Sequence, residues 1–389
     1  MKKKKTSVSD FLWKDKKHRA KNFYFVLTLF IVFAAVILGF VNSKLDMMQT
    51  QDDTTTTVPM VQQQTDSTTT APIVYDEEEL KLMKAISEAG SLNDFLYQWS
   101  DNGGDLYSSK NVINLLLLGL DSEDALENGG RSDSMILVSL NKRTEQINMI
   151  SFFRDAWCYT NAGGYDTFNK MNASYYYGGP SGVIDTIEKN YKIDIDYFVA
   201  VDFSSFVDII DALGGLTVEV QQYEAEYINA TTRHTIKYGP AVTLTGAQAL
   251  VFARIRQSDS DSDVSRTRRQ RQVITSLINS VKGASITQLN DVLDLLFQYV
   301  KTDLSKMQII SYATQALTNG WLNYEIVQHS FLSEKDVYRT GYVGSSSVVI
   351  MDFPLAAQRV QTAVYGDSNI VLEEDRQNIF YLVDELDGY

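Results

Sequence analysis

Residues 23–41 read FYFVLTLFIVFAAVILGFV, nineteen in succession without a charge. As a helix rising about 1.5 Å per residue, such a stretch spans roughly 28 Å, close to the hydrocarbon thickness of a bilayer. Its flanks are asymmetric. Lys2, Lys3, Lys4, Lys5, Lys14, Lys16, Lys17, Arg19 and Lys21 precede it, and Asp46, Asp52 and Asp53 follow. Basic residues stay on the cytoplasmic side, so the pattern predicts a single-pass anchor in the cell membrane with a cytoplasmic N-terminus and an extracellular C-terminal part. A cleaved signal peptide would have a shorter apolar core and an A-x-A site after Gly39, which is absent. A buried soluble helix would make both the uniform apolarity and the uneven flanks accidents.

Charge divides the chain at the same place. The formal net charge is −14 over 389 residues, yet residues 1–22 carry +7, which leaves −21 beyond them. An acidic body offers no basic face to phosphate backbones, so nucleic acid is excluded as a partner. The single Cys158 rules out a disulfide framework or a multi-cysteine zinc site. His18, His234 and His329 are far apart and lack ligand spacing.

Composition and periodicity set the organisation. A basic tail (1–22) and the apolar span (23–41) lead into a Thr/Gln-rich extracellular tether (42–75), too poor in apolar residues to offset its ordering entropy. Residues 76–110 form a helical lead-in with a break at Gly90. The main domain runs over 111–366, followed by a C-terminal tail (367–389). Residues 112–119 (VINLLLLG) have the continuous apolarity of a buried central strand. Further strands are expected over 134–140, 146–153, 197–202, 216–220, 326–331 and 346–353. Helices are expected over 180–191, 203–213, 245–255, 266–282, 288–300 and 305–318. This alternation predicts an α/β fold, an α/β/α sandwich around a mixed central sheet.

Chemistry concentrates in three places. Gly119-Leu120-Asp121-Ser122 leaves the first strand and is followed by Arg131-Ser132-Asp133-Ser134. Strand ends are where α/β sheets bind ligands, and two carboxylates with substrate phosphate suit Mg²⁺; aspartates also shape ordinary turns. Ser151-Phe152-Phe153-Arg154-Asp155 ends another strand, with Lys170 and Asn172 downstream. Arg154 there either pairs with a carboxylate or holds an anion. Six arginines then fall within 254–271: Arg254, Arg256, Arg266, Arg268, Arg269 and Arg271. Spacings of i, i+3 and i+4 place Arg266, Arg269 and Gln270 on one helix face. Guanidinium forks match phosphate oxygens, so a convergent set implies a pyrophosphate; the competing reading is a solvated basic face. Walker A, G-x-S-x-G and H-E-x-x-H motifs are missing. Ser139-Leu140-Asn141-Lys142 fits S-x-x-K but sits at a strand end with no later K-T-G.

In order, NLLLLGLDS (114–122), RSDSMILVSL (131–140), ISFFRD (150–155), NKMNASYYYGGP (169–180), IDYFVAVDFSSFVDIIDALGGLTVEV (195–220), LTGAQALVFARIR (244–256) and SRTRRQRQVI (265–274) resemble the LytR-CpsA-Psr family of cell-envelope proteins. The resemblance implies an extracellular phosphotransferase that moves a glycopolymer, of the teichoic acid or capsular type, from a polyprenyl-pyrophosphate carrier to peptidoglycan. It further implies that Arg131, Arg154, Arg254, Arg256, Arg266 and Gln270 bind the pyrophosphate, with Lys170, Asn172 and Arg269 in the same set. Asp121, Asp133 and Arg154 would be catalytic. Asp121 and Asp133 would hold Mg²⁺, or Mn²⁺ in its place, and an apolar groove would take the prenyl chain. Two positions depart from the family's pattern: Glu123 stands where Arg is common, and Phe153 where Pro is common. A non-catalytic polymer-binding module and a lipid-carrier pyrophosphatase remain as alternatives, and the oligomeric state is open.

Overall fold

The computed structural model describes residues 92–101, 106–121, 126, 130–256, 262–279, 299–372, 376 and 379–380. The basic tail, the apolar span, the tether, most of the lead-in, nearly all of the helix expected over 288–300 and most of the C-terminal tail lie outside them. Among the described residues no helix is long and apolar enough to cross a membrane.

In chain order, α1 (Leu92–Asp101) precedes three strands, β1 (Val112–Leu120), β2 (Ser132–Asn141) and β3 (Gln146–Ser151). A hairpin of β4 (Trp157–Ala162) and β5 (Tyr165–Lys170) leads to α2 (Ala173–Tyr191), β6 (Tyr197–Val201) and α3 (Phe203–Ala212). Next come β7 (Leu216–Val220), α4 (Gln222–Thr232), β8 (Gly239–Leu244), α5 (Gly246–Arg254) and α6 (Ser262–Asn279). The chain closes through β9 (Lys301–Thr302), α7 (Lys306–Thr318), β10 (Glu325–His329), β11 (Tyr338–Val343), β12 (Ser346–Met351) and α8 (Phe353–Tyr365).

The central sheet has the order β10-β3-β2-β1-β6-β9. It is mixed: β1 runs antiparallel to β2 but parallel to β6, and β3 runs parallel to β10. The near-continuous apolar run of β1 follows from its place. Leu116, Leu118 and Leu120 face one core, with α1, α2 and α8; Leu115 faces the other, with α3, α5, α6 and α7. A strand covered on both faces needs apolar residues at nearly every position, and the buried Asn114 is the polar exception in β1. The expected α/β/α layering is therefore present.

Boundaries moved where local sequence carried special geometry. Helix α2 begins seven residues before the expected start at Pro180, in two segments joined at Gly179 (φ 59°, ψ −152°). Pro180 opens the second segment, where its missing N–H costs nothing. At the start of α5 the chain needs Gly246. Its N–H donates to Asp211 Oδ1 at 2.7 Å, and a Cβ there would run into the Val207 carbonyl of α3. Strand β3 stops at Ser151 rather than continuing to Phe153, and β1 extends to Leu120.

Glu188 in α2 shows how burial tunes one acid. Desolvation, with the nearby charges of Asp194, Asp185 and Asp196, outweighs a hydrogen bond from Ile195 N and pushes its carboxyl up to about 7. The native state therefore binds more protons than the unfolded chain between the ordinary value of 4.5 and about 7, so Glu188 removes stability as pH rises through that window. Glu188→Gln keeps an acceptor without the charge. Thermal unfolding should give the variant a higher Tm than wild type above pH 7 and equal values below about pH 4.5; parallel curves across the whole range would contradict this account.

Candidate functional site

At the C-terminal ends of β1 and β6 the second core is not filled. A cavity of about 480 Å³ lies between the sheet, α4, α5 and α6. Its walls divide by chemistry. Leu117, Ile136, Val199, Phe206, Val273 and Leu277 line an apolar pouch, while Asp133, Arg154, Arg254, Arg256, Arg266 and Gln270 stand on the same cavity's border.

Asp133 reaches this wall through a backbone irregularity. Gly119 pairs with Ser134 but Leu120 pairs with Ser132, so Asp133 is the extra residue of a β-bulge. Alternation would send Asp133 and Ser134 to opposite faces of the sheet. The bulge re-aims them, and both border the cavity. The carboxylate of Asp133 pairs with Arg154 Nη1, and Ser134 Oγ donates to Gln270 Oε1 at 3.1 Å.

From Arg154 an ion-pair chain runs outward. Arg154 Nε lies 3.2 Å from Asp155, and Asp155 lies 3.0 Å from Lys170 Nζ. Burial would raise the Asp155 carboxyl, but the hydrogen bond from Lys170 and the charges of Arg154, Lys170 and Arg266 outweigh it and hold it below the usual range. Asp155 therefore stays ionised and is unsuited to accept a proton near neutrality. Arg254 sits 4.3 Å from the centre of the Phe203 ring, a cation–π contact that orients a solvent-facing guanidinium over the cavity's edge.

Five predicted residues do not border the cavity. Asp121 shapes the loop: its N–H donates to Arg131 O at 3.1 Å, and its Oδ1 accepts from Arg131 N at 2.9 Å. Arg131 is exposed. Lys170 is taken up by Asp155, and buried Asn172 donates its backbone N–H to Arg154 O at 3.0 Å. Arg269 departs most from expectation. It is fully buried and points away from Arg266 and Gln270, with Nε 2.7 Å from Glu224 Oε1, Nη1 2.9 Å from Ile255 O and Nη2 2.7 Å from Tyr223 Oη. Spacing of i+3 admitted it to the helix face; a carboxylate 45 residues away decided otherwise.

Sequence reasoning missed other parts. Asp202 and Phe203 border the cavity at the start of α3, where Asp202 Oδ1 caps Ser205 N at 2.9 Å. An Asp before an apolar helical run is an N-cap signal, and it was legible. The pouch residues were not, since nothing local distinguishes a lining leucine from a packed one. Arg271 holds α6 to the end of β3 through Ser151 Oγ at 2.8 Å; desolvation and the like charge of Arg268 push its pKa down to about 10. Cys158 is buried, which raises its thiol and removes it as a nucleophile.

The fold is a mixed α/β sandwich with a cavity that is cationic at its mouth and apolar inside, a lining chemically suited to an anionic group carried on an apolar chain. The chain belongs to the LytR_cpsA_psr family, whose model matches residues 52–348. It is similar to the polyisoprenyl-teichoic acid–peptidoglycan teichoic acid transferase TagU of Oceanobacillus iheyensis, 36% identical over 233 residues, 58% of this chain and 69% of the relative. TagU of Bacillus subtilis is 34% identical over 226 residues, 57% of this chain and 70% of the relative. Among solved structures, TagT bound to LIIa-WTA superposes with a TM-score of 0.50 at 26% identity, covering 66% of this chain and 92% of that one. The protein gbs0355 of Streptococcus agalactiae shares the fold, with a TM-score of 0.56 at 23% identity over 72% of this chain and 96% of its own.

The geometry gives Arg269 and Arg254 opposite phenotypes. Truncating one partner of a buried ion pair leaves the other charge uncompensated and costs about 3–5 kcal/mol. Arg269→Ala should lower stability by about that amount, whereas Arg254→Ala should shift it by less than about 0.5 kcal/mol, as surface changes do. Urea denaturation of the two variants checks this; equal midpoints would refute the structural role of Arg269.

Proposed function

We propose that this chain is a membrane-anchored, extracellular phosphotransferase. It moves a glycopolymer from a polyprenyl-pyrophosphate carrier to a hydroxyl of peptidoglycan. The observation that carries this reading is the union, in one cavity, of Arg154, Arg254, Arg256 and Arg266 with an apolar pouch long enough to need residues from both the sheet and α6. A pyrophosphate attached to an isoprenoid presents that combination of charge and grease. Membership of the family, the names of the transferases it resembles and the likeness to TagT bound to LIIa-WTA support the substrate class. The apolar run at 23–41 supports the anchor.

In this mechanism the acceptor hydroxyl oxygen attacks the phosphorus that bears the glycan. The bond from that phosphorus to the bridging oxygen breaks, and prenyl phosphate leaves with the electron pair. Phosphoryl transfer rests on positioning and charge neutralisation, which guanidinium groups supply. Arg254, Arg256 and Arg266 would hold the diphosphate, and Gln270, steadied by Ser134, would donate to one of its oxygens. The pouch fixes the prenyl chain and so the direction of the leaving group. Asp133, once the diphosphate competes for Arg154, becomes the carboxylate placed to take the hydroxyl proton.

The residues present fit a hard divalent cation. Asp133 and Asp121 each use Oδ1 in a hydrogen bond or ion pair and keep Oδ2 without a hydrogen-bond partner among the described residues. Mg²⁺ takes one or two carboxylates and completes its shell with water and substrate phosphate, and Asp133 and Asp121 are the residues that would hold it. When bound it would supply charge to the diphosphate oxygens.

Arg254→Ala and Arg266→Ala, assayed with a polyprenyl-pyrophosphate glycan and peptidoglycan, should each lower kcat/KM by about 10²–10³-fold, the usual cost of one preorganised donor. Wild-type transfer by both variants would sink the assignment. Phosphate release that needs no peptidoglycan would favour a pyrophosphatase, and tight lipid binding without turnover a binding module.

A further inference from the structure

Helix α4 ends beside the cavity, where Tyr227 and the exposed Thr231 belong to its border. A loop of residues 233–238 then leads into β8. Its composition departs from the rest of the chain. From Tyr227 to Arg256 no acidic residue occurs, although everything after residue 22 sums to −21. Within that run Arg233, His234, Lys237 and Tyr238 are all exposed, Tyr238 to 63%. The nearest acids before it in sequence are spent toward the start of α4. Glu219 accepts from Gln221 Nε2 at 2.7 Å, and Glu226 from Gln222 Nε2 at 3.0 Å.

The loop is pinned from within. Arg233 takes a left-handed conformation (φ 58°) that closes α4, and its N–H donates to Asn229 O at 3.1 Å. The Asn229 side chain then holds the loop with both of its polar atoms. Oδ1 accepts from Ile236 N at 2.7 Å, and Nδ2 donates to Ile236 O at 3.0 Å. Ile236 packs against the second core, while its neighbours Thr235 and Lys237 are exposed. Side chains presented on a fixed backbone meet a partner with less ordering cost than those of a loose segment.

Charge and ring together choose the partner. An arginine or lysine close to an anionic bilayer strengthens attachment about fivefold. An exposed tyrosine offers an apolar ring and a polar tip, the combination that settles at a membrane–water interface. An anionic polymer would use the charges and gain nothing from Tyr238. Position points the same way. A lipid whose tail enters the pouch comes from a bilayer, so the border at Thr231 has to face one. A flexible chain of the 50 residues between 41 and 92 averages about 40 Å end to end, which keeps the domain within reach of the surface. We infer that the 233–238 loop is a membrane-docking surface. Arg233 and Lys237 meet anionic lipid headgroups, Tyr238 lies at the interface, and the pouch is turned toward the lipid. The inference rests on the proposed function in one respect, the carrier's residence in a membrane.

Cys158 is the single cysteine and is buried, so a cysteine introduced at the surface takes a fluorescent label selectively. The full-length chain with Thr235→Cys, labelled there, is reconstituted in vesicles of phosphatidylglycerol and phosphatidylcholine that carry a spin-labelled quencher lipid. Tyr342→Cys is the reference. Tyr342 is as exposed as Tyr238, but its β11–β12 hairpin packs on the other face of the sheet. The label at 235 should be quenched and the label at 342 should not. Arg233→Ala combined with Lys237→Ala should lower the ratio of docked to undocked chains about 25-fold, two steps of fivefold, with thermal melting unchanged. Tyr238→Ser should lower it as well. No quenching at 235, equal quenching at both positions, or quenching that survives loss of the two cations or of the ring overturns the inference. So does a response to soluble poly(glycerol phosphate) that matches the response to vesicles, which assigns the loop to a polymer. Transfer from a detergent-dispersed carrier needs no bilayer, so the doubly substituted chain should keep wild-type kcat/KM there. A loss in detergent would move the loop into substrate binding and overturn its docking role. Absence of transfer by the wild-type chain in detergent would count against the transferase reading alone.

Discussion

One buried ion pair ties together the helices that wall the arginine-bordered cavity. Glu224 closes the capping box of α4 through Oε2, which accepts from Gln221 N at 2.8 Å, and offers Oε1 to Arg269 Nε of α6. Arg269 also grips Ile255 O, the residue that follows α5 and lies between Arg254 and Arg256. Three helix segments are thus indexed to one carboxylate. An isolated buried pair is a poor source of stability, because desolvating both partners offsets most of their attraction. Its value here is geometric. With Arg269 fixed inward, Arg266 and Gln270 face the cavity by helical period, and Arg254 and Arg256 flank its mouth.

The same arrangement explains why the second core stays open. Helix α6 could settle on the sheet if its contact face were wholly apolar. It instead meets β3 through Arg271 and Ser151 at one side and carries Arg266 and Gln270 at the other. A buried guanidinium needs partners, which Ser151 supplies to Arg271 at the end of β3. Val273, Ile274 and Leu277 then line a void rather than fill one. An apolar void of this size loses the packing contacts that fill the first core. A ligand with an apolar chain would restore them, which couples occupancy of the pouch to the stability of the α6 layer.

Much of this was legible in the amino-acid order, and the failures have physical causes. The α/β alternation, the doubly buried β1 and the concentration of arginines at 254–271 follow from periodicity and charge. Arg154 follows the end of β3, Arg254 and Arg256 stand at the end of α5, and Arg266 lies in the second turn of α6; all four border one cavity. Arg269 misled because a helix has several faces and spacing alone does not say which one meets an acid. Lys170 and Asn172 misled differently: they are near the site in space but are spent on Asp155 and on the Arg154 backbone. The β4–β5 hairpin did leave a signal, Gly163-Gly164, both at positive φ as a two-residue turn requires. Helix α8 left another in Asp352-Phe353-Pro354, an N-cap followed by Pro in the first turn. The bulge at Asp133 left none, since it depends on how β1 and β2 drift out of register over nine pairs.

Electrostatics gives the last constraint. Everything after residue 22 sums to −21, yet the cavity border gathers four arginines. A surface so acidic repels anions that approach it from most directions, and salt confines every such field to about a Debye length, roughly 8 Å at physiological ionic strength. An anionic headgroup therefore finds attraction only where it comes close to the cavity mouth. Its apolar tail supplies the second half of the selection, because soluble phosphates gain nothing from the pouch. Under the proposed function, binding would require both properties in one molecule, an anionic group for the arginines and an apolar chain for the pouch. A carrier lipid would meet that requirement, while free nucleotides, acidic polymers and neutral lipids would each fail one half of it.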